Sequence, residues 1–138
     1  MNKYIRKAMI SIEEIENVLR DVVCNNLQRD KKKSKIKVNI LGEEVYALSD
    51  RYKTFFTKGY SCCQCGIKGK YFALEAGLGS KIPQYHLNLY AVNNENEEIL
   101  MTKDHITPKS KGGINHLDNY QTMCCNCNAK KEVIYINF

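Results

Sequence analysis

Three features of this 138-residue sequence predict an α+β fold. Residues 12 to 27 carry apolar side chains at helical spacing, whereas much of the second half consists of short Tyr-, Val-, Leu- and Ile-rich runs bounded by turn residues. Two Cys-x-x-Cys pairs, Cys62/Cys65 and Cys124/Cys127, stand at either end of those runs, with the interval that four-thiolate metal sites use.

The elements follow in order. After a short lead segment, Ser11 and Glu14 are spaced as a capping box, and Ile12, Ile15, Leu19, Val22 and Val23 share one face, which predicts a helix from Ile12 to Leu27. Cys24 lies within it and is read as a buried thiol with no partner. Arg29 to Lys37 is lysine-rich, and serves equally as a solvated linker or a phosphate-contacting loop. KVNILGEEVYAL predicts a hairpin turning at Gly42, and Ser49 and Asp50 start a short helix through Phe56 with Tyr52, Phe55 and Phe56 facing inward. Strands are expected at Lys70–Leu74, Tyr85–Val92 and Ile99–Lys103. A loop is expected at Gly77–Gln84, and the polar NNENEE run forms a hairpin tip.

Composition narrows the function. Apolar residues make up 43% and charged residues 26%, the balance of a globular chain. No apolar run approaches the length of a membrane span, and the N-terminus turns acidic before a signal-peptide core forms, so a cytoplasmic location is expected, in a host cell if the chain is phage-encoded. Seven cysteines in a reducing compartment argue for metal binding over disulfides. The net charge of +6 suits a polyanionic partner, and its excess is concentrated in residues 1–58, with 13 Lys and Arg against 8 Asp and Glu.

The chemistry concentrates in Asp104 to Lys131. The run reads Asp104-His105, two residues, Pro108, three residues, Gly112-Gly113, five residues, Asn119, four residues, Cys124, two residues, Cys127-Asn128, two residues, Lys131. His105 is suited by its side chain to accept a proton in general-base work, and Asp104 with Asn128 could hold a hard divalent cation. Because strand side chains alternate, a joint role for Asp104 and His105 requires the strand to end or twist at that pair. His86 is read as a strand histidine satisfied by hydrogen bonds, and His116 as a solvent or phosphate contact. Cys63 is a bystander between ligand positions.

This run, with the upstream pair, resembles the HNH endonuclease family, the ββα-metal nucleases, in the variant with asparagine at the last signature position. The resemblance implies a zinc-stapled ββα-metal core in residues 59–138 and says nothing of residues 1–58, where the helix and hairpin form an N-terminal extension whose basic excess is compatible with contact to DNA. It also implies structural Zn²⁺ on Cys62, Cys65, Cys124 and Cys127, catalytic Mg²⁺ or Mn²⁺ on Asp104 and Asn128, and Asn119 bracing the backbone beside His105. The expected partner is double-stranded DNA. One site cuts one strand, so double-strand cleavage needs a homodimer or two successive nicks. Two rivals stand beside this reading: a catalytically inactive zinc-knuckle nucleic-acid-binding module, and a dithiol oxidoreductase using one Cys-x-x-Cys pair.

Overall fold

In the computed structural model residues 3–30, 32, 34–79 and 81–136 are described, so Lys31 and Lys33 of the lysine-rich segment lie outside the described residues. Five antiparallel strands, β1 (Tyr4–Ser11), β4 (Tyr71–Gly77), β5 (Tyr85–Val92), β6 (Glu98–His105) and β7 (Tyr120–Cys124), form one sheet in that order. A separate hairpin pairs β2 (Lys37–Ile40) with β3 (Glu43–Tyr46). Its two-residue turn places Leu41 at φ 51° and Gly42 at φ 88°, the positive pair such turns demand.

The lead segment, to which the sequence assigns no element, is β1. Its inward positions are Tyr4, Arg6, Ala8 and Ile10, while Ile5 and Met9 point outward and are 44% and 58% exposed. Apolar residues on the wet side and an arginine on the dry side conceal the alternation that marks a half-buried strand. Arg6 is satisfied by Glu75 of β4, whose fully buried carboxylate also accepts from Asn88 Nδ2 and Tyr90 Oη, each at 2.7 Å. A buried carboxylate is tolerated where several donors surround it, as here across three strands.

The N-terminal helix begins on the predicted cap, with the Glu14 amide donating to Ser11 Oγ at 3.1 Å. It runs through Ile12–Ile15, a π-helical turn Glu16–Arg20 and Asp21–Cys24, so it stops three residues short of the expected Leu27. Ile15, Leu19 and Val23 project from it into one core with Val45, Tyr52, Phe55, Phe72, Leu74, Leu87, Leu89 and Met101. Residues on both sides of position 58 therefore build the same core and the same sheet. Among the described residues no helix is long and apolar enough to cross a membrane.

The sheet parts between β5 and β6, which share only three residue pairs, from Tyr90↔Leu100 to Val92↔Glu98. The middle helix, Asp50–Lys58, capped by Ser49, serves the freed edge of β5. The Leu87 amide donates to Tyr52 Oη at 2.8 Å, and Arg51 donates to the Leu87 carbonyl and to Asn88 Oδ1. Beyond the split, β6 pairs with β7 from Met101↔Cys124 to His105↔Tyr120. The C-terminal helix, Cys125–Ile136, follows β7 directly and packs on β6 and β7, completing a β-β-α unit.

Candidate active site and metal centre

The first cysteine pair sits on a loop closed by the Ser61↔Lys68 bridge and by Gly66, whose φ of 79° lets its amide return to the Cys62 carbonyl at 3.0 Å. The second pair spans the last residue of β7 and the first turn of the C-terminal helix. Backbone amides point at sulfur in both turns: Gln64 and Cys65 donate to Cys62 Sγ, and Cys127 donates to Cys124 Sγ at 3.4 Å. The four sulfur atoms lie within 4.8 Å of one another, and Cys65 Sγ is 3.8 Å from Cys124 Sγ. A tetrahedral ion with thiolate bonds of ~2.3 Å requires sulfurs separated by ~3.8 Å.

The thiols respond to this crowding in opposite directions. Burial works against ionisation of Cys62, yet the amide hydrogen bonds prevail and bring it down to about 6. Burial, reinforced by the neighbouring sulfurs, pushes Cys127 up to about 12. Four thiolates so close together need a cation to offset their repulsion, and a closed all-sulfur set suits a structural metal such as zinc. Cys63 and Cys125 lie outside the cluster, and Cys24 packs against the core from the N-terminal helix.

The strand β6 carries both motif residues and ends at His105, and their side chains take opposite faces. Asp104, 7% exposed, faces the C-terminal helix, where its Oδ2 accepts from Lys131 Nζ at 2.6 Å and Gln121 Nε2 at 2.9 Å. Lys131 also donates to the backbone carbonyl of His105 at 2.5 Å, binding the strand end to the helix. Asn128, one helical turn before Lys131, donates through Nδ2 to Thr102 Oγ1 at 3.1 Å. Thr102 and Asp104 share one strand face, so Asn128 and Asp104 belong to the same strand–helix interface.

His105 turns the other way. Its Nε2 lies 2.8 Å from Asn115 Oδ1, and its ring meets Tyr120 edge-on at 5.2 Å. The imidazole lines a cleft of ≈ 610 Å³. Arg29, Lys32, Lys53, Lys103 and Lys109 also line it, against the carboxylates Asp30, Asp50 and Asp118. Asp30 accepts from the Lys32 amide, Asp50 lies 3.5 Å from Tyr120 Oη, and Asp118 neighbours His116 Nδ1 at 3.4 Å. His116 is thus at the cleft wall, whereas His86 packs against Tyr4 on β5, where burial, followed by the Arg51 charge, lowers its pKa.

Asn119 organises the loop that leaves the strand. Its Oδ1 accepts from the Thr107 amide at 2.9 Å, and its Nδ2 donates to the carbonyls of Thr107 and Ile114. The Ile106 amide donates to the Asn119 carbonyl at 2.7 Å, immediately after His105. Gly113 is the tightest point of this loop: a Cβ there would lie 1.8 Å from the Thr107 oxygen. Gly113→Ala is therefore expected to force the loop apart and cost more than about 2 kcal/mol. Thermal unfolding should show a drop of several degrees, and an unchanged midpoint would contradict the packing.

Several cleft residues escaped sequence reasoning. Asn115 and Tyr120 occupy positions without a distinctive spacing, and Lys53 looks like one more helix lysine, although it is 5% exposed. The available clue to Lys103 was alternation, which puts it on the His105 face two residues earlier.

Residues 93–133 match the family model described as HNH endonuclease. No curated protein and no solved structure matches the chain. The matched segment runs from the tip before β6 into the C-terminal helix. It therefore contains Asp104, His105, Asn119, Asn128 and the second cysteine pair, while Cys62, Cys65, Arg29, Lys32 and Lys53 lie upstream. The match supports the resemblance found in the motif and suggests a nuclease or nucleic-acid-related function, and the four-cysteine centre is compatible with a structural metal such as zinc.

Proposed function

Taking the HNH endonuclease segment at residues 93–133 as the premise, we propose that the chain hydrolyses DNA phosphodiester bonds with His105 as general base. The observation that carries this reading is an imidazole held at the end of a strand, facing a cleft with five basic side chains, one residue from a buried carboxylate. Asn115 Oδ1 beside Nε2 favours the tautomer with its proton there and leaves Nδ1 as the nitrogen that receives the proton of the attacking water.

Asp104 and Asn128 are the proposed oxygen ligands for the divalent ion. Their chemistry fits: one carboxylate, and one amide whose N–H is directed to Thr102 so that its carbonyl oxygen points elsewhere. Mg²⁺ or Mn²⁺ bound there would supply positive charge for the leaving 3′ oxygen, and this joint role requires the end of β6 at His105 to bring the opposite-facing Asp104 and His105 to one phosphate. Lys131 holds the Asp104 carboxylate in place, and Asn119 fixes the turn of backbone directly after His105. Zinc is the proposed occupant of the four-cysteine centre, with a structural task, since that site has no open position. The products expected from the family chemistry are 5′-phosphate and 3′-hydroxyl ends.

Nicking of supercoiled plasmid tests the proposal. Conversion to open circles is expected with added Mg²⁺ or Mn²⁺, and none is expected when both are left out. DNA binding without any cleavage, across both metals, would instead favour the inactive zinc-knuckle module.

A further inference from the structure

The cleft that His105 faces is also lined from outside the matched segment. Arg29 and Lys32 come from the turn after the N-terminal helix, and Lys53 comes from the middle helix. The described residues of this turn make contacts of their own. Asp30 Oδ1 accepts from the Lys32 amide at 2.8 Å, the Ser34 amide donates to the Asp30 carbonyl at 3.0 Å, and Lys53 Nζ donates to the Arg29 carbonyl at 2.5 Å. Lys53 is 5% exposed, so its hydrogen bond to Arg29 is an internal fastening and not a surface accident. Lys103 and Lys109, from the matched segment, line the same cleft.

We infer that Arg29 and Lys32 grip backbone phosphates of the DNA strand that His105 addresses, and that Lys53 is a positioning residue holding their turn against the cleft. The inference rests on the nuclease reading for the identity of the polyanion and deepens it by assigning a substrate-binding role to the N-terminal region. Several cationic groups from separate segments lining one groove suit a phosphodiester backbone with successive phosphates, and each phosphate neutralised releases condensed counterions.

Fluorescence anisotropy with a labelled DNA duplex, measured with no Mg²⁺ or Mn²⁺ added so that nothing is cut while the cysteine centre keeps its metal, separates binding from chemistry. Arg29→Ala with Lys32→Ala is expected to weaken binding about tenfold and to flatten the salt dependence by about 2 in log–log slope. Lys53→Met is expected to weaken it similarly although its side chain is buried, and Lys53→Arg to restore part of the loss. A charge-matched pair away from the cleft, Lys58→Ala with Lys81→Ala, both exposed, is expected to have a much smaller effect. Equal losses in the two double variants, or wild-type binding in the first, would overturn the inference even if the protein nicks plasmid. So would failure of the wild type to bind DNA. Binding lost as expected in a protein that never nicks would leave the grip in place and sink the nuclease reading alone.

Discussion

His105→Ala is expected to lower the nicking rate by about 10²–10⁴ at saturating Mg²⁺, the usual loss when a general base is removed. The substitution leaves the Asp104–Lys131 pair and the Asn119 bracket in place, because these use the Asp104 carboxylate, the His105 backbone carbonyl and the Thr107 peptide rather than the imidazole. The thermal midpoint should therefore stay within a few degrees of wild type, which separates lost chemistry from lost fold. Asn115→Ala is expected to cost less, about tenfold, since it removes the partner that sets the tautomer but not the nitrogen that acts. Nicking at equal rates by wild type and His105→Ala would remove this mechanism. A loss in both variants, in that order of severity, is the result expected of a tautomer set by Asn115 with His105 as the base.

The parts of the fold that could be read beforehand are those whose signals are local. Ser11 and Ser49 cap helices because a hydroxyl three residues ahead of an amide leaves little choice, and Gly42 turns a hairpin because few residues tolerate its backbone angles. The four cysteines announced their cluster through paired spacing, although they meet only when the chain between Cys65 and Cys124, 59 positions apart, folds back on itself. What stayed hidden depends on contacts distant in sequence. Strand β1 is concealed by exposed Ile5 and Met9 and by an inward arginine whose partner, Glu75, is 69 residues away. The basic cleft joins Arg29, from the lysine-rich segment whose phosphate-contacting reading the sequence left open, to Lys53 and Lys103, each unremarkable in its own neighbourhood. Alternation warned that Asp104 and His105 face opposite ways, but not that Lys131 would bridge them by binding one carboxylate and the other's carbonyl.

Metal removal should have the larger effect on stability. The wild type is expected to carry about one zinc per chain by elemental analysis. Stripping it with a strong chelator, or replacing Cys124 by Ser, is expected to lower the thermal midpoint by more than about 10 °C, given the ~10–16 kcal/mol that small structural zinc sites contribute to folding. The reason is positional. Cys62 and Cys65 hold a loop that otherwise reaches β7 through the Cys63 amide on the Thr122 carbonyl and the Thr122 hydroxyl on the Gly59 carbonyl. Cys124 and Cys127 fix the first turn of the helix that carries Asn128 and Lys131. With the sulfurs released, that helix start loses its anchor, Lys131 no longer secures Asp104, and nicking is expected to fail even in excess Mg²⁺. Cys63→Ser provides the contrast, because its sulfur lies outside the cluster and zinc content should not change. A chain with far less than one equivalent of zinc, and with a midpoint indifferent to chelation, would show that hydrophobic packing alone holds the two halves together and would return the Cys-x-x-Cys pairs to redox chemistry.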